Sequence, residues 1–386
     1  MIYADYNGSA PLCDEVKEYL AKRFQEGPFA NPNAIHHQGQ KVLMAMENSR
    51  SVVAKALGAK MSQVIFNSGA TEGCSTIFHS ILEDALGNGR STIIISGIEH
   101  SAIRNTANWY AEYKGYDIKT VPTLSNGIID IKKLQTWLEE APEKIAMVSI
   151  MAANNETGVI QPFQNIASLC TQHNVPFFCD TTQFIGKAPF NFKESGIDYA
   201  VTSGHKFGAL TGTGVLLAKK RETLKPIIIG GGQEKGLRGG TQNYIGNESV
   251  AVAITATLEN FGRIEELSAK RKEFESKVKE KFPEVVILGE DAPRLATTTY
   301  IAYPGVHGQA VQIELESQGI FVTTSSACSD NEPVTSKVLK SIGVSDEIGR
   351  GVVRISVGLC SPLEVYDNIL EALSKAYEKL VQIKSY

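Results

Sequence analysis

Val175-Pro-Phe-Phe-Cys-Asp180, followed about one helix further on by Ile197-Asp-Tyr-Ala-Val-Thr-Ser203-Gly-His-Lys206, decides how this chain folds. Both runs are apolar on either face, rich in aromatic or β-branched residues, and end at a polar or glycine-bearing turn. A strand buried on both faces belongs to a parallel sheet covered by helices on each side. The pattern repeats outward, in STIIIS at 91–96, KIAMVSI at 144–150 and GVLLAK at 214–219, with helix-like stretches between. This alternation predicts an α/β lobe with a mostly parallel sheet, and such sheets take their ligands beyond the C-terminal ends of the strands.

Beyond that lobe, residues 248–282 hold no proline and one glycine and carry an apolar stripe at helical spacing, which predicts one long linking helix. Short β-like runs follow (EVVIL at 284–288, TTTYIAY at 297–303, IFVTT at 320–324, VVRISV at 352–357), alternating with helix-like ones. They predict a second, smaller α/β lobe packed closely on the first, with a cleft between the two. At 386 residues and 42% hydrophobic content the chain is long enough for two cores. A net charge of -4 with no dense Lys/Arg stripe argues against nucleic acid as a partner. The start, MIYADYNGSAPL, has no basic leader before an apolar stretch, and no run is long enough to span a bilayer, so a cytoplasmic protein without membrane contact is expected.

Six cysteines (Cys13, Cys74, Cys170, Cys179, Cys328 and Cys360) stand apart with no CxxC pair, which argues against a metal site and against a disulfide scaffold. A reducing compartment fits. Cys179 and Cys360 lie in or beside apolar runs and are expected to be packed as small hydrophobes.

Lys206 stands at a strand end between Ser203-Gly204-His205 and a glycine-rich continuation. An amine there can form an imine with an aldehyde cofactor, although a loop lysine is more often just a solvated charge. Asp180 shifts the balance, because a carboxylate at the tip of a central strand is costly to desolvate unless it meets a cation, such as the protonated ring nitrogen of pyridoxal phosphate (PLP). The Thr181-Thr182-Gln183 that follows also suits plain capping by Asp180. Upstream, Asn67-Ser-Gly-Ala-Thr-Glu72 joins a strand-like run to a helix-like one, a junction whose backbone N–H groups suit an anion such as a phosphate. His100 also follows a strand-like run and could stack on a flat ring and carry protons. The Asn154-Asn155-Glu156-Thr157-Gly158 cluster at another strand tip is either a site or bare turn chemistry.

Read in order, these strings resemble the cysteine desulfurases of the NifS/IscS type, in the class V aminotransferase group of fold-type I PLP enzymes. The resemblance rests on DYNGSAP (5–11), NPNAIHHQG (31–39), SGATE (68–72), EH (99–100), NNETGVIQP (154–162), DTTQ (180–183), SGHKFG (203–208), GGGQEKGLRGGTQN (230–243), SSACS (325–329) and RISVG (354–358), which span nearly the whole chain. It implies a seven-stranded-type sheet in a large PLP-binding domain over residues 12–257. It also implies a smaller C-terminal domain over 258–386, joined by 1–11 and carrying the Cys328 loop.

The same resemblance implies roles residue by residue. Lys206 would be the Schiff-base lysine, His100 the imidazole stacked on the ring, Asp180 the partner of the ring nitrogen and Gln183 that of the ring hydroxyl. Ala70, Thr71, Ser203 and His205 would hold the phosphate, with Thr241 reaching in from the second subunit of a homodimer. Asn155 and Arg354 would bind the substrate carboxylate. His36 matches a family position without a clear role. Cys328 would take sulfur from L-cysteine as a persulfide, leaving L-alanine, and pass it to a sulfur-acceptor protein. The acceptor stays open, as does its pathway, whether iron–sulfur cluster assembly, tRNA thiolation or another.

Other readings also stay open on the residues alone. A selenocysteine lyase or small-amino-acid aminotransferase would keep Lys206 and Asp180 without needing Cys328, and a catalytically idle sulfur-trafficking scaffold would need none of the three. The chain departs from the family pattern at Gly73-Cys74-Ser75, at Gly8-Ser9, and after Cys328, where Glu332-Pro333 comes early.

Overall fold

The computed structural model describes residues 1–324 and 335–382. Among them the strands in chain order are β1 (Ile2–Tyr3), β2 (Val64–Asn67), β3 (Thr92–Ser96), β4 (Asp117–Val121), β5 (Ile145–Ser149), β6 (Phe177–Asp180), β7 (Tyr199–Ser203) and β8 (Gly214–Ala218). They continue as β9 (Val286–Ile287), β10 (Thr298–Ala302), β11 (Ile320–Phe321) and β12 (Val352–Ser356). The main sheet has seven strands in the order β2-β8-β7-β6-β5-β3-β4.

Successive side chains alternate across this sheet. Ile94, Phe177, Cys179, Ala200 and Val215 enter one apolar core, while Ile93, Ile95, Phe178, Val201 and Leu216 enter the core on the opposite face. Helices cover both faces, which is why β2, β3, β5, β6, β7 and β8 are buried along their whole length. At the edge, β4 exposes Asp117 and Lys119, charges that discourage pairing with another strand.

The sheet is parallel from β7 through β4, but β8 runs antiparallel to both β7 and β2. The connection from Ser203 to Gly214 is too short for a helical crossover, so the chain returns as a hairpin-like pair.

Downstream, β12-β10-β9 form an antiparallel sheet and β1 pairs in parallel with β11. Their apolar faces share a separate core with Leu267, Phe274, Ile369, Leu373 and Tyr377 of the neighbouring helices. The N-terminus joins this part: Ser356 N–H donates to Ala4 O at 2.8 Å, and Tyr6 N–H donates to Ser356 O at 3.0 Å.

The long helix expected over 248–282 is two helices, Tyr244–Glu259 and Ile264–Lys281, separated by a tight turn over Phe261–Arg263. Residues of the first helix pack in the core of the main sheet and residues of the second in the core beside the small sheet. Arg263 holds the turn by donating to Leu359 O and Ser361 O at 2.7 and 2.8 Å. Cys179 is buried as expected, but Cys360 is exposed. It sits in the turn after β12, closed by Ser361 N–H on Gly358 O, where the chain has already left the core. Among the described residues, no helix is long and apolar enough to cross a membrane.

Candidate active site

β6 and β7 lie side by side with Asp180 opposite Val201, so both chains leave the sheet at the same edge. β7 passes directly into a single tight turn, Gly204–Lys206. A side chain at Gly204 would place its Cβ 2.4 Å from Thr213 Oγ1 and 2.9 Å from Ala209 Cβ, so only glycine lets the turn close there. Lys206 Nζ then reaches back to donate to Asn7 O and Gly8 O at 2.8 and 2.7 Å.

A cavity of about 280 Å³ opens at this edge. Lys206, Asp180, His100, Asn155, Gln183 and Arg354 line it, as do Ala70, Thr71, Ser203 and His205. Thr241 does not; it is exposed outside the cavity of its own chain. Cys328 lies outside the described residues.

Each lining group has a local reason for its placement. Asp180 accepts the Thr182 N–H on Oδ1 at 2.9 Å, so the capping role and the cavity role are combined in one carboxylate. His100 caps the helix Ser101–Lys114, its Nδ1 accepting the Ala102 N–H at 3.1 Å, which leaves Nε2 as the nitrogen that carries the proton of a neutral ring. Burial lowers the His100 pKa, the charges of Lys206 and Arg104 add to that, and Asp180 opposes them. His205 is pushed down to about 4, by burial and then by Lys206 and Lys187, and its Nδ1 meets Ser9 Oγ at 3.1 Å. The imidazole is therefore a neutral hydrogen-bonding group near neutral pH.

At the other end, the helix Ala70–Ala85 begins after Gly69, whose φ of +153° suits glycine. Ala70 N–H donates to Ser203 Oγ at 2.8 Å. The two residues expected to share a phosphate are thus tied to each other, and the Ser203 hydroxyl keeps its own proton to donate.

Arg354 on β12 is nearly inaccessible, with Nη2 on Asp5 Oδ1 at 2.6 Å and Nη1 on Asn155 O at 2.9 Å. Its Nε is buried without a hydrogen-bond partner among the described residues. The guanidinium expected to meet a carboxylate already has one from the N-terminal segment. His36 caps the helix His37–Ala56 through Nδ1 on the Gly39 N–H.

Sequence reasoning passed over the roles of three residues, Asn7, Lys187 and Glu99. Asn7 is the hub of the cavity wall: Nδ2 donates to Asn155 O and Thr298 Oγ1 at 3.2 and 3.1 Å, and its carbonyl accepts from both Lys206 and Gln183. Lys187 donates to Asn7 Oδ1 at 2.7 Å and to Gln183 Oε1. The only sequence signal was its spacing of four from Gln183, one helical turn, and lysines at that spacing are common. Glu99 was quoted only as the neighbour of His100. Burial raises its carboxyl to about 8, and Oε1 accepts from Ser96 Oγ and from the Met151 N–H at 3.0 Å.

The residues fit PLP. A cofactor with an aldehyde, a basic ring nitrogen and a phosphate needs an amine, a carboxylate and an anion cradle, and Lys206, Asp180 and the glycine-led helix terminus at Ala70 supply them on one cavity wall.

Residues 2–367 match the aminotransferase class-V family. The cysteine desulfurase IscS of Dictyoglomus turgidum is 34% identical over 386 residues, covering 100% of this chain and 96% of that protein. The cysteine desulfurase NifS of Azotobacter vinelandii is 30% identical over 387 residues, covering 100% of this chain and 94% of that protein. Among solved structures, a NifS-like protein superposes with a TM-score of 0.89 at 32% identity, covering 98% of this chain and 100% of that one. A structure described as SspA in complex with cysteine superposes with a TM-score of 0.79 at 28% identity, covering 92% and 99%.

Proposed function

The chain belongs to the aminotransferase class-V family and is a PLP-dependent cysteine desulfurase, and from that premise we propose that the cavity beside Lys206 is its active site. The observation that carries the proposal is that an amine, a carboxylate, an imidazole and a helix N-terminus, drawn from four separate strand–turn junctions, line this one cavity.

When bound, PLP supplies an electron sink that acidifies the substrate Cα–H and lets sulfur leave Cβ. The protein's residues divide the remaining work. Lys206 would anchor the cofactor through its amine and would take the Cα proton of the substrate. Asp180 keeps the proton on the ring nitrogen. His100, neutral and held by its helix cap, carries a proton at Nε2. Ala70, Thr71, Ser203 and His205 hold the phosphate, and Gln183 meets the ring hydroxyl. Asn155 and Arg354 orient the substrate carboxylate, with Asp5 holding the guanidinium in place. The Cys328 thiolate attacks the substrate sulfur: its Sγ–S bond forms as the S–Cβ bond breaks, Cβ gains a proton, and alanine leaves a persulfide behind.

We further propose a homodimer, in which Thr241 meets the partner's phosphate. Its support is the exposure of Thr241 outside its own cavity, together with exposed Ile227, Ile228 and Ile229 shortly upstream. A protein acceptor for the persulfide and a cytoplasmic location belong to the same proposal; the free thiols of Cys13, Cys74, Cys170, Cys179 and Cys360 suit a reducing compartment. The division into domains at 12–257 and 258–386 with 1–11 is proposed on the separate apolar cores, which divide between the helices on either side of Asn260.

Incubating the purified protein with PLP and L-cysteine tests the function. Alanine and protein-bound persulfide are expected to appear together; a protein that binds the cofactor and forms neither would overturn it.

A further inference from the structure

Behind the cavity lies a second buried amine, in contact with two residues that line it, Asn7 and Gln183. Lys187 is 5% exposed. It sits in the turned segment after β6, where Gly186, at φ +82°, packs so closely on Phe207 that an added Cβ would lie 2.5 Å from Phe207 Cβ. Its Nζ donates to two side-chain oxygens, Asn7 Oδ1 and Gln183 Oε1.

An amide side chain can turn either end toward a neighbour, and its partners decide which. Lys187 donates, so it selects the oxygen end of both amides. Asn7 then directs Nδ2 to Asn155 O and Thr298 Oγ1. Gln183 directs Nε2 away from Lys187, with one N–H on Asn7 O at 2.8 Å and the second left for the cavity that Gln183 lines.

We propose that Lys187 is a positioning residue, which orients the Gln183 amide so that it offers a donor to the cavity and thereby favours a cofactor whose ring oxygen is an ionised acceptor. The inference rests on the assignment of this cavity to PLP. A wall that donates stabilises the ionised form of a ring hydroxyl over the neutral one. Burial, followed by the charges of Lys206 and Arg354, holds the Lys187 pKa well below that of an ordinary lysine, against the pull of Asp5. His205 also feels the Lys187 charge, and Tyr6 and Cys360 share with Lys187 the lining of a pocket on its other side. Both amide oxygens accept from the Lys187 Nζ.

The test compares wild type, Lys187→Met and Gln183→Glu. Each apoprotein is titrated with PLP and with the analogue lacking the 3-hydroxyl, and the visible band of each loaded protein is followed over pH. Wild type is expected to prefer PLP. Lys187→Met should lose that preference by about tenfold, the worth of one hydrogen bond to an ionised group, while binding the analogue as before. Its visible band should titrate at higher pH. Gln183→Glu retains an oxygen for Lys187 but offers the cavity no donor, and should shift both readouts in the same direction.

A folded Lys187→Met protein with wild-type preference and midpoint overturns the inference. Equal weakening of both compounds, the mark of a merely structural role, overturns it as well. Should Lys187→Met not fold, an unchanged preference in Gln183→Glu decides against the inference. Wild type that takes up neither compound would overturn the assignment of the cavity instead.

Discussion

Asp180 closes β6 opposite Val201 of β7, three residues before the turn that carries Lys206. The acid and the amine are therefore set by neighbouring strands of one rigid sheet, and no mobile loop is needed to bring them together.

That placement makes Asp180→Asn a clean test of charge. The amide oxygen can still accept the Thr182 N–H, so the turn is expected to survive and the protein to keep its cofactor. Without the negative charge the ring nitrogen loses its proton, and turnover with cysteine should fall by about 100-fold or more. Asp180 also opposes the lowering of the His100 pKa, so the imidazole should become still harder to protonate. Steady-state rates and absorbance of the bound cofactor check both; near-normal rates would exclude the role.

Lys206→Ala should abolish turnover and alter the visible absorbance of the bound cofactor. It removes the amine and its hydrogen bonds to Asn7 O and Gly8 O. Alanine assays and absorbance spectra of the purified variant decide the matter, and a variant with full activity would place the chemistry elsewhere.

The cysteines should separate by role. Cys328→Ala is expected to bind cofactor and to change colour with cysteine, but to yield neither alanine nor persulfide, since neither Ser nor Ala replaces a thiolate. Cys179→Ala, in the core of the main sheet, should cost about 1 kcal/mol of stability with activity kept. Cys360→Ala is expected to change neither, because that residue is exposed. Mass spectrometry after a short cysteine pulse should find the added sulfur on the peptide with Cys328. Sulfur on Cys74 would defeat this assignment.

Glu99 predicts a pH dependence of stability. Burial raises its carboxyl from an ordinary value near 4.5 to about 8 in the folded protein. Between those values the native state holds a proton that the unfolded chain releases, so this group's stabilisation is complete below about 4.5 and is lost as pH rises toward 8. Glu99→Gln is close in shape, and its oxygen can accept from Ser96 and the Met151 N–H, but it does not titrate. Thermal melts from pH 5 to pH 8 should show a shallower decline in the variant; parallel declines would refute the assignment.

What was legible in the sequence follows from short-range physics. Phe177, Phe178 and Cys179 read as a strand because each face of a covered sheet must be apolar, and the turns at Asp180 and Ser203–Lys206 read as sites because polar groups at strand ends need partners. Periodicity also marked both helices on either side of Asn260, though not the break, because the apolar stripe runs through it while its two halves serve different cores.

The remaining features depend on residues far apart in the chain. The direction of β8, the exposure of Cys360 and the pairing of Arg354 with Asp5 are set by where the backbone goes after it leaves the pattern. The orientation of Gln183 is the sharpest case. Its local sequence allows either end of the amide to face the cavity, and the choice is made by Lys187 and by Asn7, 176 residues away. Local periodicity fixes where a side chain sits, whereas the hydrogen-bond sense of a buried amide depends on which donors and acceptors folding brings against it.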